Sequence, residues 1–459
     1  MKFRIERDSM GEVKVPQDRY YGAQTQRAVE NFPIGDRLFP RSFIKALGLI
    51  KREAARTNLE LGLLDKKVAD SIIQAADEVA QGNFDQEFVL SIFQTGSGTS
   101  TNMNANEVIA NRAKELLGGE IGGKGLVHPN DHVNKGQSSN DVIPTAIHLA
   151  ALAEIAEKLI PAWQELAELL EEKAEEFWPI LKIGRTHLQD ATPIRLGQEF
   201  SGYASQIKDG VRRLEQACTE LEVLALGGTA VGTGINAHPR FAEGVIEKIS
   251  AAIGLPLRKT ENHFAAQAAL DALVAASGTL KTLAVSLYKV SNDIRWMSSG
   301  PRCGIGEIRI PELQPGSSIM PGKINPVIPE AVGMVCAQVI GNDLAVSLGG
   351  QSGNFELNIM MPLIASNLLE SIGLLADGAA VFSERCVRGL EANEERCLSL
   401  VEKSLALSTS LVPSLGYDRA AELAFQAHAE GKTLRQVLQE TDEFSPEEID
   451  EVLDVEKMT

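Results

Sequence analysis

The chain has 459 residues, with 44 Lys+Arg against 62 Asp+Glu, a formal charge of −18. At roughly 150 residues per domain the length suggests about three domains, enough chain to bury a core without disulfides or metal. With 44% hydrophobic and 23% charged residues the composition is that of a globular protein and not a disordered one, and the acidic balance disfavours nucleic acid as the main partner while leaving small anions open.

The first twelve residues mix charges and carry no apolar segment, so no signal peptide is expected. Phe3–Ile5 and Glu12–Val15 alternate as a small hairpin around Met10-Gly11, and β patterns are scarce elsewhere. The first polar stretch, Gly96-Ser-Gly-Thr-Ser-Thr-Asn-Met-Asn-Ala-Asn-Glu107, precedes a helix predicted over Met103–Leu117. N-capping explains one of its hydroxyls but not Ser97, Thr99, Ser100 and Thr101 together, and free N–H groups beside hydroxyls suit a carboxylate or phosphate. The second stretch, His128-Pro-Asn-Asp-His-Val-Asn-Lys-Gly-Gln-Ser-Ser-Asn-Asp141, again places Ser138, Ser139 and Asn140 before a helix, with Pro144 in its first turn. His128 and His132 have the spacing of two metal ligands, but Pro129 disfavours a regular helix through both and no third ligand is evident.

Ile155, Leu159, Trp163, Leu166 and Leu170 recur at steps of three or four, as do Leu363, Leu368, Ile372 and Leu375. Between them Gly184-Arg-Thr-His-Leu-Gln-Asp-Ala-Thr-Pro193 reads as a polar turn, which raises His187 above an ordinary structural histidine. The run Gly228-x-x-x-Gly232-x-Gly234 lacks the context of a Rossmann or P-loop motif. From about 264 to 299 the chain is apolar all round and free of proline, predicting one helix of about 35 residues, near 50 Å long. A helix that long needs long neighbours, so the fold class is all-α, a bundle of long helices.

Gly and Pro then crowd the chain from Gly300 to Pro329, predicting a functional loop of about 25–30 residues. Inside it Gly316-Ser-Ser-Ile-Met-Pro-Gly-Lys-Ile-Asn-Pro326 sets two serines, a lysine and an asparagine on a mobile scaffold, as a lid carrying a base and an anion clamp would. The stretch after Leu438 is strongly acidic and reads as a solvated tail or small domain. No uninterrupted run of about 18 apolar residues is present, so no membrane-spanning helix is expected. Cys218, Cys303, Cys336, Cys386 and Cys397 are odd in number with no CxxC pair, which points to reduced thiols and a cytoplasmic protein.

The eleven-residue motif at 316–326 resembles the fumarase/aspartase superfamily signature GSSxMPxKxNP. The resemblance covers nearly the whole chain. Asp8-Ser-Met-Gly11, Tyr21-Gly-Ala-Gln-Thr-Gln-Arg27, the stretches beginning at Thr95 and His128, Gly184–Pro193, Gly227–Asn236 and Ser352-Gly-Asn-Phe-Glu-Leu-Asn358 look like class II fumarase blocks in the expected order. The resemblance implies three mostly helical domains, here 1–137, 138–390 and 391–459. A central bundle of five long helices would assemble into a homotetramer with a twenty-helix core, its active sites shared among three subunits. It implies a hydro-lyase of the tricarboxylic acid cycle that reversibly hydrates fumarate to (S)-malate through an aci-carboxylate, without metal or organic cofactor and without nucleic acid or membrane partners.

By motif, Ser317 matches the general base that removes the C3 proton of malate. His187 matches the acid side, with Glu330 orienting or charging it. Ser318, Lys323, Ile324 and Asn325 match one carboxylate site, with Lys323 also stabilising the base. Ser97, Gly98, Thr99, Ser138, Ser139, Asn140 and Thr186 match the remaining substrate ligands. His128, Pro129, Asn130 and Asp131 match a second anion site.

The chemistry requires such a set. A proton beside a carboxylate is very weakly acidic, so the intermediate needs preorganised donors, and hydroxide leaves badly without a proton. Aspartase is the nearest alternative: Val327-Ile-Pro-Glu330 resembles aspartases, whereas Gln24-Thr-Gln26, Ser139 and Ser352–Leu357 have the fumarase form. A structural role on the same fold, as in lens crystallins recruited from the superfamily, is opposed by the presence together of Ser317, His187, Lys323 and Glu330.

Overall fold

The computed structural model describes residues 2–123, 125–441 and 443–459. The chain opens with an antiparallel hairpin, β1 (Phe3–Asp8) and β2 (Gly11–Pro16), in register from Phe3↔Pro16 to Asp8↔Gly11. Alternation puts Val13 and Val15 inside. Helices follow in order: α1 (Ala23–Asn31), α2 (Arg41–Glu60), α3 (Lys66–Gln81), α4 (Thr99–Leu116), α5 (Ser139–Glu154) and α6 (Ile160–Glu176). A single π turn, Ile155–Leu159, joins α5 to α6 without a break. A second hairpin, β3 (Leu181–Thr186) and β4 (Gln189–Arg195), precedes α7 (Leu196–Leu221), α8 (Phe241–Ile253), α9 (His263–Ala268) and α10 (Asp271–Met297). After the long loop come α11 (Val327–Gly350) and α12 (Met361–Phe382), then short helices to the C-terminus.

The chain divides into two compact units, and each of the five crossings between them falls inside a helix: α6, α7, α10, α11 and α12. In the first unit (1–161, 212–284, 337–376) α2 packs on α3, α5 and α8, and α3 packs on α4. Phe43, Leu47, Ile50 and Ala54 of α2 and Ile72, Ala75 and Val79 of α3 are buried, as helical spacing requires. Gly48 permits this approach, since a Cβ there would lie 2.7 Å from Ala80 N. The second unit (162–211, 285–336, 377–459) is built around Trp163, Phe177, Phe200 and Tyr203, with Phe177 and Phe200 edge to face at 5.1 Å.

Two expectations are corrected. The helix predicted over 264–299 is broken at Ala269–Leu270, where the backbone turns extended. There the Ala268 carbonyl meets Gly353 so closely that a Cβ on Gly353 would lie 2.2 Å from it. The helix after the long loop starts at Val327, so Pro329 sits in its first turn, where a missing N–H costs no hydrogen bond. The acidic C-terminal stretch includes a capped helix, Pro446–Val452, that buries Ile449 against a cluster with Leu423, Val437 and Leu438.

Two helices, Val327–Gly350 and Met361–Val387, are long and apolar enough to cross a membrane by length and composition. Several of their polar groups are paired within the protein. Asn342 donates to Ser371 Oγ at 3.1 Å, and Asp343 accepts from Ser277 and Lys281 at 2.8 and 2.6 Å.

His148 of α5 has Nδ1 3.2 Å from Leu221 O, and burial pushes its imidazole from 6.5 down to about 4. The unfolded chain therefore takes up this proton first. Stability is unaffected by the group above about pH 6.5 and falls as pH drops from there towards 4. Urea midpoints of H148Q should fall less steeply across that window than those of the wild type. An unchanged slope would assign the acid sensitivity to other groups.

Candidate active site

Two of the four polar stretches meet in the first unit. Gly98, with φ of 72°, caps α4, and a Cβ on it would lie 3.0 Å from the Ile143 side chain of α5. Asn102 donates to Ser139 Oγ at 3.1 Å across the same junction. The N-termini of α4 and α5, the positive ends of their dipoles, are thus brought side by side. Ser97 and Thr99 share a hydrogen bond of 2.8 Å between their hydroxyls. Thr101 has a structural role, its N–H and hydroxyl both donating to Gln94 Oε1.

Ser138 caps α5 in a capping box with Asp141. Asp141 accepts from Ser138 N at 2.9 Å, Gly227 N at 3.0 Å and Thr229 N at 2.9 Å. Burial raises its carboxyl above the usual range, while these hydrogen bonds and the Lys51 charge draw it back. Asn140 donates to Ala230 O at 2.7 Å. The glycine-rich run that matched no nucleotide motif therefore packs onto the start of α5, a role its spacing did not announce.

The π turn Pro129–Val133 is capped by His128, whose Nδ1 accepts from Asn130 N and Asp131 N, each at 3.2 Å. Nδ1 of His132 accepts from His128 N at 2.8 Å. Both Nδ1 atoms are thus engaged as acceptors, and among the described residues no cluster of three His, Cys, Asp or Glu side chains is placed to hold a metal. His128, Pro129 and Asn130 line a cavity of about 880 Å³ with Arg7 and Lys114 as its cations, and Asp131 lies outside that lining. The same cavity is bounded by Glu107, which accepts from Gly22 N, Gln24 N and Thr25 Oγ1 and so fixes the start of α1.

The other two stretches lie in the second unit. Gly184–Pro193 is no mere turn: it is most of the β3–β4 hairpin, and His187 and Leu188, both at φ of 58°, form its two-residue tip. Thr186 and His187 are exposed. The hairpin is anchored from behind by charge. Arg185 donates twice to Glu307 at 2.9 Å, and Lys182, fully buried, reaches Glu199 at 2.7 Å and Glu307 at 3.5 Å. Glu307 is itself fully buried, and sequence reasoning passed over it because it sits in the Gly/Pro-rich loop without a motif of its own.

The 316–326 loop closes on itself. Gly316 N donates to Lys323 O at 2.7 Å, and Asn325 Nδ2 donates to Gly316 O at 2.6 Å. A Cβ on Gly316 would lie 2.5 Å from Lys323 O, so only glycine fits the closure. Within it Ser317 Oγ accepts from Ile319 N at 3.2 Å and Met320 N at 2.9 Å. Ser318 is exposed. Lys323, Ile324, Asn325 and Glu330 line a cavity of about 570 Å³ that also draws on Arg295 and Arg309. Neither Ser317 nor His187 lines that cavity, and among the described residues no hydrogen bond joins His187 to Glu330 or Ser317.

The family descriptions Lyase and Fumarase C C-terminus match residues 11–341 and 407–459. Fumarate hydratase class II of Nitrosomonas europaea is 55% identical over 458 residues, covering 100% of this chain and 99% of its own. The chain belongs to the class II fumarase family. Fumarate hydratase class II of Ralstonia nicotianae is 56% identical over 95% of each chain. The crystal structure of a class II fumarase from Schistosoma mansoni superposes with a TM-score of 0.97 at 43% identity, covering 100% and 99% of the two chains. Val327-Ile-Pro-Glu330 thus occurs inside a fumarase chain, and the aspartase alternative is not favoured.

In this fumarase the anchoring of the His187 hairpin can be measured. E307A removes the shared acceptor of a part-buried arginine and a buried lysine, and breaking a buried pair costs about 3–5 kcal/mol. Thermal unfolding should shift down accordingly, and amide exchange should quicken in 181–195. Protection unchanged in the hairpin would mean that Glu307 does not hold it.

Proposed function

We propose that this fumarase-family chain catalyses the reversible addition of water to fumarate, giving (S)-malate, with Ser317 as base and His187 on the acid side. The observation that carries the reading is the pair of backbone N–H groups on Ser317 Oγ. A serine hydroxyl is a useful base only if its alkoxide is stabilised, and two N–H donors with a lysine in the same loop supply that.

In the dehydration direction Ser317 takes the C3 proton of malate. Lys323, Asn325, Ser318 and the backbone about Ile324 hold the carboxylate that takes up the extra charge. The aci-carboxylate then expels the C2 hydroxyl, which His187 protonates directly or through water, with Glu330 supporting the imidazole. Ser97, Gly98, Thr99, Ser138, Ser139, Asn140 and Thr186 hydrogen-bond the dianion. His128, Pro129, Asn130 and Asp131 form a second anion site. S317A and H187N should each lose at least about 100-fold in turnover, the scale of a removed acid or base. Absorbance of fumarate formed from malate follows the reaction. Near-normal rates in both variants, or turnover of aspartate in place of malate, would overturn the assignment.

Assembly as a homotetramer, with three subunits contributing to each site and domains divided near 137 and 390, completes the reading. On α11 the exposed residues Ala331, Met334, Ala337, Gly341, Leu344 and Leu348 step by three or four along one face. Met334 is 69% and Leu344 62% exposed. A stripe so apolar and so open on one chain calls for copies of itself to cover it. A cytoplasmic location is in keeping with the five free cysteines. Sedimentation should give a tetramer for the wild type, and L344D should yield smaller species with activity lost in proportion. A fully active monomer would exclude a shared site.

A further inference from the structure

Lys51 lies in the middle of α2 with no exposed surface. Burial draws its ammonium down from 10.5 to about 7, with the Asp141 carboxylate opposing; as the ammonium it has three donors and no acceptor, so whatever it touches must accept. Its Nζ donates to Asn134 Oδ1 and Gln137 Oε1, both at 2.9 Å. The Asn134 amide is thereby fixed oxygen-inward, and its Nδ2 donates to Gln137 O at 3.1 Å.

The constraint passes on. Asn134 Oδ1 also accepts from Asn102 Nδ2 at 3.3 Å, and that same Nδ2 donates to Ser139 Oγ at 3.1 Å. Turned over, the Asn102 amide would set its oxygen against Asn134 Oδ1, two acceptors in contact. It stays in the donating orientation even though its own Oδ1 is buried without a partner. Ser139 Oγ must therefore accept on its inner side, which leaves its one hydrogen free to point outward. We infer that Lys51 is a positioning residue that, through Asn134 and Asn102, fixes the Ser139 hydroxyl as a donor to the substrate carboxylate. Without a donor-only group at the head of the chain, both amides could turn over and Ser139 could spend its hydrogen inward.

This inference rests on Ser139 as a substrate ligand, and a double-variant cycle separates the two claims. K51M keeps the shape of the side chain and removes the donor. With malate as substrate and the full-length enzyme, K51M should raise KM about 10-fold while kcat changes less than about 3-fold, because ground-state and transition-state binding are weakened alike. S139A should raise KM about 10-fold in the wild type but less than about 3-fold on the K51M background. No effect of S139A in the wild type overturns the ligand reading and the inference with it. Equal effects of S139A in both backgrounds leave Ser139 a ligand and overturn the relay alone. Should K51M fail to fold, N102D replaces the inner donor with an acceptor that draws the Ser139 hydrogen inward, and leaves Lys51 with both its acceptors. The same loss of the S139A effect is then expected, and multiplied effects overturn the inference.

Discussion

A carboxylate cut off from solvent holds together the part of the chain where anion-binding groups gather. Asp141 accepts from the N–H groups of Ser138, Gly227 and Thr229, and so ties the first turn of α5 to a loop more than eighty residues further on. An unpaired charge in that position would be costly; three N–H donors, the positive end of α5 and the Lys51 ammonium offset it. The glycines of the loop matter for the same reason. A Cβ on Gly228 would lie 2.9 Å from His263 Cβ as well as against the Gln267 side chain, so a substitution there would push on the helix that starts at His263. With that junction fixed, Ser138, Ser139 and Asn140 stand at a helix start whose direction and distance from Ser97 and Thr99 are set.

The chemistry falls into two kinds of support. In the first unit, hydroxyls and an amide are presented by helix N-termini, which suit a negative ligand in spite of a chain charge of −18. In the second, a histidine on a hairpin tip and a serine inside a self-closed loop are presented by short segments braced from behind. Glu307 braces the first through Arg185, and the Gly316–Lys323 and Asn325–Gly316 hydrogen bonds brace the second.

Much of this was legible in the residues themselves. Helical spacing marked Leu159, Trp163, Leu166 and Leu170, all buried, and Gly, Pro and hydroxyl clusters marked all four polar stretches. Legibility stopped where tertiary contact overrides local pattern. The break at Ala269 has no glycine or proline to announce it, and the backbone that comes up against it, at Gly353, is far off in sequence. The β3–β4 hairpin was read as a turn because its alternation is interrupted at Gly184, where the register shifts. Lys51 passed unnoticed although it falls four residues after Leu47 and seven after Ile44, squarely on the buried stripe of α2. A charged residue in phase with a buried stripe is a signal that periodicity can supply, and Asp141 in the first turn of α5 is another.

The tip of the hairpin carries a last consequence. Two-residue turns of this hand are most relaxed as Asn-Gly, and left-handed backbone at an ordinary residue costs on the order of 1–2 kcal/mol. His187 and Leu188 both sit in that region. Any search for stabilising replacements that ranks positions by backbone comfort will therefore nominate this dipeptide early, and the replacement it favours deletes the imidazole. Backbone comfort and the presence of an imidazole make opposite demands at His187, so engineering for endurance has to begin elsewhere in the molecule.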